Sequence, residues 1–403
     1  MSTAPNPFSA APAQLGYQYQ VREALLLALR KCRTNQPFSV AIETLDDVVF
    51  ESSGNPIELI QTKHHVKATS TLTDASPDLW KTLRIWFEGI GTHQIVQGAT
   101  YQLITTAIAP TGSVASLLQS GRTSSDIVSA QQKLENVAMT STNTGNALAY
   151  KAYLETTPDL RLKILEDITV LSQVPPIQNW ESEIWAELLW AADKRFSGPF
   201  IERLEGWWMA RVIKHLTSPH DINGILSEEI YSKVQELREQ FSQESLPIDD
   251  NLALFVLDET AQSSYHESPF VLQLKLFNAG KPRIALAIND YYRAFTQRSR
   301  WVRDSLLLVG ELDRYENRLV DEWKHVFATM EDELGSIATE EDKRKAASHM
   351  LKWAETTTFP IRKMVLDSFV SRGSFHILAD DLRVGWHLEF IKRLEVLLSK
   401  AAQ

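Results

Sequence analysis

A single cysteine, Cys32, in 403 residues excludes an intramolecular disulfide and any cysteine-built zinc site. No run approaches the roughly 18 consecutive apolar residues that a membrane-crossing helix needs. Met1 to Ala13 lacks the basic-then-apolar order of a secretory signal, so a cytoplasmic protein with no membrane contact is expected. Positive charge is in deficit, with a net charge of −10. That balance argues against a protein that coats nucleic acid constitutively. It leaves room for an enzyme that needs positive potential along one groove only and lets metal ions offset an acidic site. Also missing are a Gly-x-x-x-x-Gly-Lys-Ser/Thr phosphate loop, a Gly-x-Ser-x-Gly elbow and a His-Glu-x-x-His string, so neither ATP hydrolysis nor serine-hydrolase or zincin chemistry is expected.

Hydrophobic residues make up 44% and charged residues 23%, the balance of folded domains rather than long disorder. The length exceeds what one compact core usually holds, and two domains are expected. The first is placed at 1–218, with a catalytic core at about 14–110 and a helical extension over 111–218; the second, mainly helical, spans 219–403. Thr217-Ser218-Pro219-His220 marks the boundary. The eleven tryptophans imply large buried surfaces, and Trp180, Trp185, Trp190, Trp207 and Trp208, at near-helical spacing, read as core.

Along the chain, Val21, Leu25, Ala28 and Leu29 recur at helical spacing and predict a first helix to about Lys31. Strands follow at Phe38 to Glu43, Asp47 to Glu51 and Pro56 to Lys63, the last two joined by turn-forming Ser52-Ser53-Gly54-Asn55. Ser76-Pro77-Asp78 starts a helix striped by Leu79, Leu83, Trp86, Phe87 and Ile90, and Tyr101 to Ile108 is a further strand. After Pro110 strand signals fade. Helices are expected at Ser124 to Ala138, Asn146 to Glu155, Trp180 to Asp193, Pro199 to Leu216, Glu228 to Phe241, Pro282 to Gln297, Trp301 to Met330, Glu340 to Trp353 and His387 to Ala401.

Chemistry concentrates between Val40 and His65. Strand alternation puts Ile57, Leu59, Gln61 and Lys63 on one face. A symmetric five-residue turn over 52–56 would pair Glu51 with Ile57 and set Asp47 opposite Gln61. Asp47, Gln61 and Lys63 would then project together from one end of a hairpin. A carboxylate and an amide oxygen there can hold a divalent cation that offsets charge on a phosphodiester and acidifies a water, while the lysine orients that water or stabilises the pentavalent phosphate. Gln-x-Lys alone is weak, because polar strand ends are common; the crowding of Glu43, Asp46 and Asp47 in a β-rich segment, where acids are disfavoured, adds weight.

This order of elements, with an acid on one strand and Gln-x-Lys on the next, resembles the restriction-endonuclease-like PD-(D/E)xK superfamily. More closely, Gly16-Tyr17-x-Tyr19-Gln20, Glu43-x-x-Asp46-Asp47, Gln61-x-Lys63-His64-His65 and Asp78-Leu79-Trp80-Lys81-Thr82-Leu83 resemble the Cap-four-type double-stranded DNA endonuclease domain of antiphage effectors. The resemblance implies an α/β fold with an αβββαβ core and a Mg²⁺-dependent cut (Mn²⁺ as substitute). It casts Asp47 as metal ligand, Gln61 in place of the usual second acid and Lys63 as catalytic lysine. Glutamine leaves the site one carboxylate short, and Glu43, Asp46 or Glu23 could supply the missing charge. Lys67, Lys81 and Arg84 are candidates for phosphate contact, with a solvated helix face the plain alternative for the last two.

In the C-terminal half, Asp290-Tyr-Tyr-Arg293-Ala-Phe-x-Gln297-Arg298-Ser-Arg300-Trp301, Tyr315-Glu316-x-Arg318-Leu319-x-Asp321-Glu322-Trp323, Arg372-Gly373-Ser374-Phe375-His376-Ile-Leu-Ala-Asp380 and Val384-Gly385-Trp386-His387 resemble the C-terminal domain of effectors of ABC three-component defence systems. Leu388 departs from the proline common there. Both halves together resemble the nuclease subunit of Lamassu systems. That resemblance implies an SMC-like ABC ATPase and a third small subunit as partners, double-stranded DNA as substrate, inactivity within the complex and activation by release into a homo-oligomer. Arg372, His376 and Trp386 are candidates for partner contact, with packing of the helical domain as the competing reading. His376 and His387 lack metal-ligand spacing and read as structural. A catalytically inactive nuclease-fold scaffold is the alternative function.

Overall fold

The computed structural model describes residues 10–34, 36–65, 69–95, 98–218 and 224–401. The first apolar stripe forms α1 (Ala11–Cys32), with Val21, Leu25, Ala28 and Leu29 all buried. Three antiparallel strands follow: β1 (Ser39–Ile42), β2 (Val48–Ser52) and β3 (Asn55–Lys63). Then come α2 (Pro77–Gly91) and β4 (Thr100–Thr105), which pairs parallel to β3. Helix, three strands, helix and strand therefore succeed one another in the expected order.

The hairpin reaches its register by an unexpected route. Ser52 pairs with Asn55, so the turn has two central residues, Ser53 and Gly54, both with positive φ (52° and 77°). Such a turn matches the right-handed twist of its strands and needs glycine or a small polar residue at those positions. This alone would put Asp47 out of step with Gln61. A bulge restores the alignment: Glu51 pairs with Pro56 but Phe50 with Glu58, leaving Ile57 as the extra residue. From there Val48 lies opposite Ile60, and one step further sets Asp47 against Gln61. The expected five-residue turn and its Glu51–Ile57 pair are thus wrong, whereas Asp47 still lies beside Gln61, to which it is hydrogen-bonded.

Two strands carried no sequence signal. Beyond α3 (Val114–Leu117), α4 (Ser124–Thr140), α5 (Ala147–Glu155) and α6 (Pro158–Asp167), β5 (Ile168–Leu171) pairs parallel with β4. After α7 (Trp180–Leu188) and α8 (Ser197–Thr217), β6 (Ile225–Leu226) pairs with β1, ahead of α9 (Ser227–Gln240). The sheet runs β5-β4-β3-β2-β1-β6. Val49 and Leu59 face a core built with α2, including Leu79, Leu83, Trp86 and Tyr101. Phe50 and Glu58, pointing the other way, meet Lys31 of α1, whose Nζ lies 4.9 Å from the Phe50 ring and 2.8 Å from Glu58 Oε2. Trp180, Trp185 and Trp208 are buried as expected; Trp190 is exposed.

The chain divides into two compact units, one of Met1–Ala191 and Phe200–Glu236, the other of Ala192–Pro199 and Leu237–Gln403. The expected boundary at 217–220 falls too early, because β6 adds a strand to the first unit's sheet after it. In the second unit α10 (Asp250–Ala253), α11 (Glu259–Ser263) and α12 (Pro269–Leu276) precede the long α13 (Lys281–Arg303). The helix expected over Trp301 to Met330 does not exist as one piece. Ser305 and Gly310 take left-handed conformations, ending α13 and starting α14 (Glu311–Leu334). Then follow α15 (Glu340–Thr356), α16 (Ser368–Asp380) and α17 (Phe390–Ala401). Helix α16 passes so close to α13 that a Cβ on Gly373 would lie 2.0 Å from the Asp290 carbonyl oxygen, so only glycine fits there. Among the described residues no helix is long and apolar enough to cross a membrane.

Candidate active site

At the C-terminal end of β3 the three expected side chains meet. Gln61 Nε2 donates to Asp47 Oδ1 at 2.8 Å, and Gln61 Oε1 accepts from Lys63 Nζ at 2.7 Å. Lys63 Nζ stands 3.9 Å from Asp47 Oδ2. That oxygen also accepts from the Thr62 backbone N–H at 2.8 Å and from the Thr62 hydroxyl at 3.2 Å. The amide orientation follows from charge: its donor faces carboxylates and its acceptor faces an ammonium.

Of the three acids offered as the missing carboxylate, only Asp46 reaches Gln61. Its Oδ1 also accepts from Gln61 Nε2, so two carboxylates meet at one neutral amide –NH₂, which has a hydrogen for each. Asp46 is fixed further by the Trp86 indole N–H, 2.6 Å from Oδ2, and by the Asp47 backbone N–H, 2.9 Å from Oδ1. Burial pushes its pKa up to about 6 against the hydrogen bonds from Trp86 and Gln61, with the neighbouring Asp47 charge adding to the rise. Glu43 is exposed and accepts from Gln20 Nε2 at 2.9 Å. The same Gln20 nitrogen donates to the Asp47 carbonyl at 2.8 Å, tying α1 to the loop that carries both aspartates. Glu23 lies elsewhere. It lines a small cavity with Tyr19, Arg30, Trp180 and Glu183, where burial raises its pKa to about 7 despite the nearby Arg30 and Tyr19.

Gln20, Thr62 and Trp86 are the site residues that sequence reasoning passed over. Trp86 had been assigned only to an apolar stripe, yet a buried indole N–H demands an acceptor, and Asp46 is that acceptor. Among the nucleic-acid candidates, Lys81 is exposed and Arg84 lies half-buried 3.8 Å from Glu88. Lys67 lies outside the described residues. His65 pairs with Asp78 at 3.0 Å, and His64 packs its ring 4.8 Å from that of Tyr19.

Among the described residues no group of three or more His, Cys, Asp or Glu side chains converges as a metal cage. The donor chemistry nevertheless fits a hard cation. Asp47 and Gln61 offer a carboxylate and an amide oxygen, and the Asp46 and Asp47 carboxylates converge on the Gln61 amide –NH₂. Magnesium is commonly bound by one or two carboxylates, with water and substrate phosphate completing its shell.

The candidate partner contacts of the C-terminal half fare differently. Trp386 is fully buried and His376 is 2% exposed, so neither presents an outer surface to a partner; both pack inside the helical unit. Arg372 is half-buried and donates through Nε to Asp290 Oδ2 at 2.5 Å.

Fold and site together define a protein with a polar acid–amide–lysine cluster on a mixed sheet and a second, all-helical unit. Residues 270–394 match the family described as C-terminal domain 7 of the ABC-three component (ABC-3C) systems, which links the chain to those systems and their other components. The match begins later than the expected 219 and takes in all four C-terminal strings. No curated protein and no solved structure matches the chain.

Proposed function

We propose that the chain is a Mg²⁺-dependent endonuclease acting on double-stranded DNA, the effector of an ABC-three-component defence system of the Lamassu kind, on a restriction-endonuclease-like core. The observation that carries this is the Gln61 amide, which turns its donor to the Asp46 and Asp47 carboxylates and its acceptor to Lys63. Each carboxylate has a donor of its own, Trp86 for Asp46 and Thr62 for Asp47, yet the two negative groups meet at a neutral amide with one nearby lysine, so charge is less well matched than hydrogen bonding. Asp47 and Gln61 would hold the ion, which when bound offsets the scissile phosphate's charge and lowers the pKa of the attacking water. Lys63 Nζ, within reach of both, orients that water or donates to the phosphate oxygen. Asp46 fixes Gln61 and is itself fixed by Trp86, and Gln20 anchors the loop, so the geometry is set before substrate arrives.

The C-terminal match supports partnership with the other components of such a system, and the acidic body of the free chain is poorly suited to hold DNA unaided; a partner-held state in the cytoplasm is the reading that follows. Cutting both strands needs two sites or one site acting twice, so release from an SMC-like ATPase and a small third subunit into a homo-oligomer is the proposed switch. The test is supercoiled-plasmid cleavage by the free chain and by the reconstituted complex at matched concentration. Cleavage by the free chain that requires Mg²⁺, stops with EDTA and is suppressed in the complex is expected. No cleavage by the free chain under any divalent ion would leave the scaffold reading, and equal cleavage by both forms would remove sequestration.

A further inference from the structure

The Lys63 ammonium has two polar neighbours among the described residues. It donates to Gln61 Oε1 at 2.7 Å and stands 3.9 Å from Asp47 Oδ2. Asp47 and Gln61 are also the two residues that the nuclease reading gives to the divalent ion. A cation of the protein's own therefore already lies beside both of their oxygens. The lysine and aspartate side chains are 16% and 19% exposed, so water screens this contact less than it would an open surface pair.

The other side of the amide is taken. Its –NH₂ is shared by Asp46 Oδ1 and Asp47 Oδ1. Asp46 is held in its turn by the Trp86 indole and the Asp47 backbone N–H. Turning the amide over would set its oxygen against two carboxylates and its hydrogens against an ammonium. Gln61 is thus fixed on one side by acids that are themselves anchored. Lys63 is tied to the cluster only by the tip of its side chain.

We propose that the Lys63 ammonium occupies the divalent-ion position in the metal-free cluster, so that ion binding frees it from Gln61 to meet a phosphate oxygen of the substrate; this rests on the nuclease reading for both ion and phosphate. Charge selects the displacing ion. A monovalent ion in place of the ammonium exchanges one positive charge for another and gains nothing, whereas a divalent ion sets a second positive charge beside Asp46 and Asp47. The displaced ammonium loses its acceptor, and a phosphate oxygen of bound DNA replaces it with a charge-assisted hydrogen bond. Through this one side chain the ion and the DNA each favour binding of the other.

The test compares Mn²⁺ affinity, from free ion counted by electron paramagnetic resonance, in the full wild-type chain and in Lys63→Met, which keeps most of the stem and removes the charge. Lys63→Met should bind Mn²⁺ more tightly by about tenfold or more, because no hydrogen-bonded charge has to be moved aside. Loss of any nearby positive charge would also tighten binding, so position is read directly as well. In wild-type crystals grown with Mn²⁺, the anomalous signal should lie between Gln61 Oε1 and Asp47 Oδ2, with Lys63 Nζ out of hydrogen-bond reach of Gln61. That measurement stands even where Lys63→Met fails to fold. Equal Mn²⁺ affinity in the two folded proteins, or an ion elsewhere in the cluster with Lys63 still bonded to Gln61, would overturn the displacement while leaving a cation site. No saturable Mn²⁺ binding by either protein would overturn the site itself and the displacement with it.

Discussion

Two polar clusters in this chain are built on opposite plans. Around Arg362 every group is spent: its guanidinium donates to both Glu311 oxygens at 2.8 and 2.9 Å and to the Ser245 and Leu306 carbonyls at 2.9 Å. One cation meets one anion, and the leftover donors meet carbonyls whose chain segments they tie together. At the end of β3 the hydrogen bonds are matched but the charges are not: Asp46 and Asp47 meet one neutral amide, with Lys63 standing 3.9 Å from Asp47. A closed cluster holds a fold together; an open one has room for a charge that the protein itself does not provide. That difference, more than the identity of any residue, separates structure from candidate chemistry here.

The comparison is broken most sharply at Lys63. Lys63→Ala should lower Mg²⁺-dependent plasmid cleavage by roughly 10²-fold or more while the melting temperature hardly moves, because a half-buried lysine end adds little to the core. Arg362→Ala should do the reverse. Removing one partner of a buried pair costs about 3–5 kcal/mol, to be read by denaturant unfolding, with cleavage per folded molecule unchanged.

Glu23 offers a pH test. Its folded pKa of about 7 lies above the ordinary 4.5, so the folded state holds the proton more tightly than the unfolded chain. Stability from this group is therefore full below pH 4.5, falls as pH rises through 7 and is level above. Wild type should lose about 3 kcal/mol across that window that Glu23→Gln does not lose, measured as the difference between the two unfolding curves.

A smaller, more discriminating effect belongs to Gln61→Glu. A third carboxylate replaces the donor between Asp46 and Asp47, so without metal the variant should be less stable by about 1–3 kcal/mol. Added Mg²⁺ should restore its melting temperature by more than it raises that of wild type. A variant indifferent to Mg²⁺ would mean that the carboxylates do not share a cation position.

What the sequence made legible was local. Ser76-Pro77-Asp78 and the alternation of Leu59, Gln61 and Lys63 specify a helix start and a strand face within a few residues, and both are found. The bulge at Ile57 was hidden because it depends on how the two-residue turn and the buried faces of β2 and β3 are reconciled. Strand β6 is two residues long, and β5 follows directly on a helix; both exist through pairing with distant partners, β1 and β4. The same distance concealed Trp86 as the holder of Asp46, forty residues of separation that no periodicity reveals. In the C-terminal half packing was equally hidden: Gly373 lies against Asp290, and Trp386 is sealed in the core.

The claim that the open cluster is a cation site is tested most directly by titrating the chain with Mn²⁺ and counting free ion by electron paramagnetic resonance, with wild type and Asp47→Asn compared at equal folded concentration. The account predicts a saturable site in wild type, displaced by Mg²⁺ and lost in Asp47→Asn; indistinguishable Mn²⁺ binding by the two proteins would contradict it.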